Sequence, residues 1–241
     1  MSGDWRELLY PLGFLAAAAF SGRMLLQWLT SEVRKESTVM PLFWKLSLCG
    51  NLLLVVHSLI QVQFHVCAIQ TCNAVISWRN LNLMQPVENR FSTRRTIQLM
   101  IAAICLISLT FALQGHFLIG EGNEWFRIPV APWQSHNVVS FSTAWHLFGF
   151  VGLMLFSSRF WIQWWYAEKK QTSYLGAPFW WASLIGESIC LVYFFTIGDS
   201  VNYIGPLVAL VPYIRNLMLL YPKKQDNLLK PQTESSAKSN N

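Results

Sequence analysis

Two nine-residue stretches hold the side chains of this sequence best suited to chemistry: FSGRMLLQW, Phe20 to Trp28, and FSSRFWIQW, Phe156 to Trp164. Each sets an arginine and a glutamine four residues apart inside an apolar run, so the two side chains share one helix face. A guanidinium is a fork of donors that fits carboxylate or phosphate. Arg23 with Gln27, and Arg159 with Gln163, could therefore flank a cavity and hold an anion such as a lipid or nucleotide phosphate. They could equally be structural, each guanidinium reaching toward a membrane surface and bonding helix carbonyls, the neighbouring glutamine or a carboxylate. An arginine turned to lipid costs ~2.5 kcal/mol or more near mid-membrane, so charges in spans generally face an interior.

Carboxylates come next. Glu187 stands about midway along an apolar stretch, at the position that Asn51 holds in an earlier, similar stretch. An intramembrane acid is a functional candidate; neutralisation by Arg159, or protonation in place, is the structural alternative. Glu32 and Glu168 end the two arginine-bearing helices, while Arg79 and Arg215 lie near the ends of the third helix of each set. All four reach the same face, and the expected pairing is a clamp within each set: Glu32 with Arg79, Glu168 with Arg215. His57 is expected to make an interhelical hydrogen bond. The five cysteines match no metal or redox spacing, so neither metal nor cofactor is expected.

These residues need elements to hold them. The sequence is 53% hydrophobic and only 12% charged, too apolar for an ordinary soluble domain. Stretches of nearly 20 apolar residues recur, each able to cross ~30 Å of hydrocarbon. Spans are expected at 9–30, 42–62, 65–84, 97–118, 144–166, 178–197 and 200–221: seven helices and no β-barrel pattern. Helix 1 resembles a signal-peptide core, but its basic flank is weak and the same helix recurs in mid-chain, so it is expected to be retained. Pro206 and Pro212 suggest a broken or kinked helix 7. Trp28, Trp44, Trp164, Trp165, Trp180 and Trp181 are expected to form an interfacial aromatic belt.

The net charge of +6 is a topology signal and not a nucleic-acid signal. Arg34, Lys35, Arg90, Arg94, Arg95, Lys169, Lys170, Lys223 and Lys224 fall in loops on one side, and Arg6 and Arg127 on the other. Basic loops stay cytoplasmic, which sets the N-terminus outside and the C-terminus inside.

Shifted by 136 residues, 13–84 aligns with 149–220 without a gap. The polar and small matches include Arg23/Arg159, Gln27/Gln163, Glu32/Glu168, Ser47/Ser183, Gly50/Gly186 and the triplet Arg79-Asn80-Leu81 against Arg215-Asn216-Leu217. The expected plan is an all-α integral membrane protein, 3+1+3, with parallel repeats. Repeat one occupies 9–84, a connector helix with its loops 85–143, repeat two 144–221, and a disordered tail 222–241. The polar segment 119–143 is expected along the outer interface.

The doubled pattern F-x-x-R-x-x-x-Q-W, S-x-x-x-x-x-F-W and R-N-L resembles the lipid A biosynthesis N-terminal domain, within the PQ-loop/SWEET-like group of triple-helix bundles. The likeness covers about 144 of 241 residues. It implies a multi-pass protein of the bacterial inner membrane that binds, moves or presents an anionic glycolipid or precursor. Membrane lipids and a cytoplasmic glycosyltransferase are the implied partners. In lipid-A-disaccharide synthases of this type such repeats precede a glycosyltransferase domain, for which the remaining sequence has no room. The chain alone is therefore expected not to be the enzyme. The competing reading is a SWEET-like small-solute transporter, but the matched asparagines of that group are absent: Asn73 aligns with Ala209. A membrane anchor is the third reading.

Overall fold

A computed structural model describes residues 5–35, 39–119, 125, 142–196 and 200–221. Among them the protein is helical, with seven long helices: α1 (Gly13–Arg34), α2 (Pro41–Ile60), α3 (Phe64–Leu83), α4 (Thr93–Gln114), α5 (Thr143–Lys170), α6 (Ala177–Thr196) and α7 (Ser200–Leu220). Short helical turns precede α1 and α4 and follow α4. The tail 222–241 and nearly all of 119–143 lie outside the described residues. From the latter, Trp125 packs its ring on Phe64 at 4.9 Å and Phe111 at 6.1 Å.

Local chemistry sets several of the ends. Pro41 opens α2, where its missing N–H is no loss. Ser92 caps α4 by accepting from the Arg95 amide. Equivalent residues end α1 and α5 in the left-handed region, Lys35 at φ 55° and Gln171 at φ 51°. These two helices run about a turn further than the apolar spans, with Glu32 and Glu168 in their last turns as expected. The expected break in α7 is not seen. It runs as one helix through Pro206 and Pro212, each proline removing a single ladder donor.

Consecutive helices pack as α1 on α2 on α3, and as α5 on α6 on α7, with α4 laid against α3. Between the two sets, α1 meets α7 and α3 meets α5. The seam holds aromatic side chains in matched pairs: Phe43 against Trp44 (4.9 Å, 88°) and Phe179 against Trp180 (5.0 Å, 87°). Trp44 and Trp180 are fully buried, which corrects the belt expected of them. Trp44 packs on Phe160 of the other repeat at 6.5 Å and Trp180 on Tyr213 at 6.1 Å, so both indoles fill the core. Trp165 and Trp181 do remain exposed.

The polarity of the bundle is inverted relative to a soluble protein. Arg23, Gln27, Asn51, Arg79, Asn80, Arg159, Gln163, Glu187 and Asn216 are all buried, while leucines and valines of α1, α4, α5 and α7 point outward. Four helical stretches among the described residues, including Pro41–Ile60 and Ala177–Thr196, are long and apolar enough to cross a membrane. An outer surface of this kind suits a solvent of acyl chains. His57 departs from expectation: its Nδ1 has no hydrogen-bond partner among the described residues. The ring instead lies over Gly13, edge-on to Tyr10 at 5.7 Å.

Candidate anion cavity between the repeats

The Glu–Arg pairs form, but with partners exchanged. Arg79 donates through Nε and Nη2 to Glu168 at 2.6 and 2.9 Å. Arg215 does the same to Glu32 at 2.6 and 3.1 Å. The expected pairing within a repeat is therefore corrected to one across repeats. The cause is the packing: α1 lies beside α7, and α5 beside α3.

Gln27 and Gln163 belong to the same crossed seam. Gln163 and Asn80 exchange amide hydrogen bonds at 2.6 and 3.0 Å. Ser173 donates to Asn80 and accepts from Trp44 Nε1 at 2.7 Å. On the other side Gln27 donates to Ser31, and Ser31 donates to Asn216 at 3.0 Å. The relay through Ser31 has no twin, since Ala167 occupies the aligned position. These amides sit outside the cavity lining, because a further helical turn has carried them to where the repeats touch.

The cavity itself has a volume of about 670 Å³ and is lined by four of the six expected binding residues: Arg23, Asn51, Arg159 and Glu187. Phe160 stands between the arginines, 5.3 Å from the Arg23 guanidinium carbon and 4.9 Å from that of Arg159. Arg159 also lies 3.5 Å from the Phe156 ring centroid and donates to the Tyr213 hydroxyl at 2.8 Å. Arg23 donates to Ser47 at 3.1 Å. The charges are thus held against π faces and single hydroxyls. Among the described residues, the Nε–H groups of Arg23 and of Arg159 have no hydrogen-bond partner. A buried donor left open is costly, and two of them beside a void of ligand size are complementary to an anion.

Glu187 and the aligned Asn51 differ in their contacts. Asn51 donates to Ser77 at 3.2 Å. The residue aligned with Ser77 is Tyr213, whose hydroxyl is engaged by Arg159. Apolar side chains of α1, α3 and α7 (Leu25, Ile69, Leu207, Val208, Val211) complete the wall. Sequence reasoning missed Phe160, Ser47 and Tyr213, which hold the arginines. Only Ser47 carried a repeat signal, through its match with Ser183. Asn80 and Asn216 were visible in the R-N-L triplet, but not as partners of the glutamines.

Fold and site together define a two-repeat helical bundle with a basic, amphipathic cavity at the repeat seam. The Lipid A Biosynthesis N-terminal domain matches residues 12–82 and again 148–218. The chain belongs to that family. It is 38% identical over 218 residues to a protein of Chlamydia pneumoniae called lipid-A-disaccharide synthase, covering 90% of this chain and 34% of that protein. A protein of the same name from Chlamydia trachomatis serovar D is 36% identical over 211 residues, 88% of this chain and 34% of its own. The chain thus spans about a third of the length of these relatives. No solved structure matches it.

Proposed function

We propose that the chain is a seven-span protein of the bacterial inner membrane, N-terminus out and C-terminus in, whose repeats 9–84 and 144–221 run parallel with 85–143 as connector. In this reading the cavity binds the anionic headgroup of a glycolipid of lipid A biosynthesis, or of its precursor. The protein presents that lipid to a cytoplasmic glycosyltransferase. The observation that carries the proposal is that equivalent arginines of the two repeats line one cavity, each with an Nε–H that has no partner among the described residues. The relatives' name supplies the pathway, and the apolar side chains beside the arginines give an acyl or prenyl chain a path to the lipid. The basic loops support the orientation.

The test is native mass spectrometry of the detergent-purified protein with lipid extracts and phosphorylated glycolipid precursors. Wild type is expected to retain a phosphorylated glycolipid. The double variant Arg23→Ala/Arg159→Ala, monodisperse on size exclusion, is expected to retain it about tenfold less or worse, since each charged hydrogen bond is worth ~1.5–3 kcal/mol. Equal retention by both proteins, or retention by neither, would overturn the reading.

A further inference from the structure

Glu187 is 6% exposed, lines the same cavity as Arg23 and Arg159, and makes no hydrogen bond or ion pair with any described residue. The charged and titratable groups that face it are Arg159 from α5, Arg23 from α1, Tyr213 from α7 and Cys190 from its own helix. The hydrogen bonds that these arginines do make go elsewhere, Arg159 to Tyr213 and Arg23 to Ser47. The symmetric residue, Asn51, is neutral and has its own partner in Ser77. A carboxylate held in reach of two arginines, but bonded to neither, acts on the cavity through its charge.

We propose that Glu187 sets the charge of the headgroup this cavity accepts, selecting a singly charged phosphodiester over a doubly charged phosphomonoester. The inference rests on the reading of the cavity as an anion site. Two guanidiniums and one carboxylate leave a single positive charge to be neutralised. A phosphodiester neutralises it. A dianionic phosphomonoester brings one negative charge too many into a region of low dielectric, where uncompensated charge is costly. Replacing the carboxylate with an amide of the same shape removes that penalty without altering the wall.

The probes are phosphatidylglycerol, a phosphodiester, and phosphatidic acid, a phosphomonoester, each in phosphatidylcholine nanodiscs at about pH 8, above the second phosphate pKa of ~6. Retention of each lipid is read by native mass spectrometry. Wild type is expected to favour phosphatidylglycerol. Glu187→Gln is expected to shift the ratio toward phosphatidic acid by about tenfold or more, equivalent to ~1.4 kcal/mol. An exchange variant, Asn51→Glu with Glu187→Asn, moves the carboxylate to the aligned position on α2 and keeps the count of charges; it is expected to retain the wild-type preference. An unchanged ratio in Glu187→Gln overturns the inference, and so does an exchange variant that binds both lipids but has lost the preference. Where Arg23→Ala/Arg159→Ala lowers retention of both lipids while Glu187→Gln leaves their ratio alone, the cavity reading stands and only the charge selection fails. Retention that is indifferent to the arginines removes the cavity reading and this inference with it.

Discussion

Replacing Glu168 with alanine is expected to lower the stability of the folded bundle by about 3–5 kcal/mol, while the same change at the aligned Glu32 leaves it near wild type. The two pairs are related by the repeat but not by environment. Arg79 and Glu168 are 1% and 13% exposed, Arg215 and Glu32 28% and 41%. Glu168 also accepts from Thr93 at 2.7 Å and from Trp164 Nε1 at 3.0 Å, and Arg79 donates further to Asn82 and to the carbonyl of Phe91. Removing Glu168 strands a buried guanidinium. Removing Glu32 releases one that water already reaches, and exposed pairs contribute little. Thermal unfolding in detergent, followed by tryptophan fluorescence, separates the two outcomes. Equal shifts for the two variants would refute the assignment. A charge exchange, Arg79→Glu with Glu168→Arg, is expected to recover part of the loss; Arg79→Glu with Glu32→Arg is not.

Acid should reveal the same bond. Glu168 lies just beyond the apolar span 144–166. Burial works against its charge, but hydrogen bonds from Arg79, Thr93 and Trp164 outweigh it and hold the carboxyl below its ordinary value. A lowered folded value means the contribution is present above the unfolded pKa of ~4.3 and is lost as pH falls through the folded one. Glu168→Gln is expected to remove that part of the acid sensitivity.

The second large effect is expected at Gly186. A Cβ built there would lie 2.5 Å from the backbone nitrogen and 2.9 Å from the Cα of Phe156. Neither atom can move without shifting α5, so Gly186→Ala should separate α5 from α6 and cost about 3 kcal/mol, the upper part of the range for overpacking. At the aligned Gly50 the nearest atoms belong to the Phe20 ring, from 2.7 Å. A ring can turn aside, and Gly50→Ala is expected to be milder. Gly22, whose nearest neighbour is a Leu46 methyl at 4.0 Å, is the control: alanine there is expected to be neutral or to stabilise α1. The yield of monodisperse protein and the unfolding temperature check the order Gly186, Gly50, Gly22. An equal response at Gly186 and Gly22 would discard the close-contact argument.

The sequence carried the helices and the doubling because apolar length and polar identity at fixed offset survive without any knowledge of neighbours. Arg23 and Arg159 could be read as inward-facing because a bilayer leaves a charge no cheaper place. What could not be read was adjacency. Glu32 and Arg79 share a repeat and an end, so pairing them was the shortest assumption; the packing of α1 on α7 reversed it. Gln27 and Gln163 share a helix face with the arginines, yet one turn was enough to move them from the void to the seam. Tyr213 escaped notice because it aligns with a serine. Trp44 and Trp180 looked interfacial because an indole's preference for the membrane surface is a statistical one, and a second repeat offers it a core.

The exchanged pairing has a consequence for biogenesis. Glu32 and Arg215 are 183 residues apart, and Arg79 and Glu168 are 89 apart. In the proposed membrane-spanning reading, α1 to α3 enter the bilayer before the cross-repeat partners of Glu32, Arg79 and Asn80 have been made. Arg79 meets Glu168 once α5 is made, whereas Glu32, bonded locally to Lys35, meets Arg215 only at the end of α7. Closure of the bundle is therefore a late docking step, made almost at the completion of synthesis, and a chain stalled before Arg215 presents an open, charged seam to the quality-control machinery of the membrane.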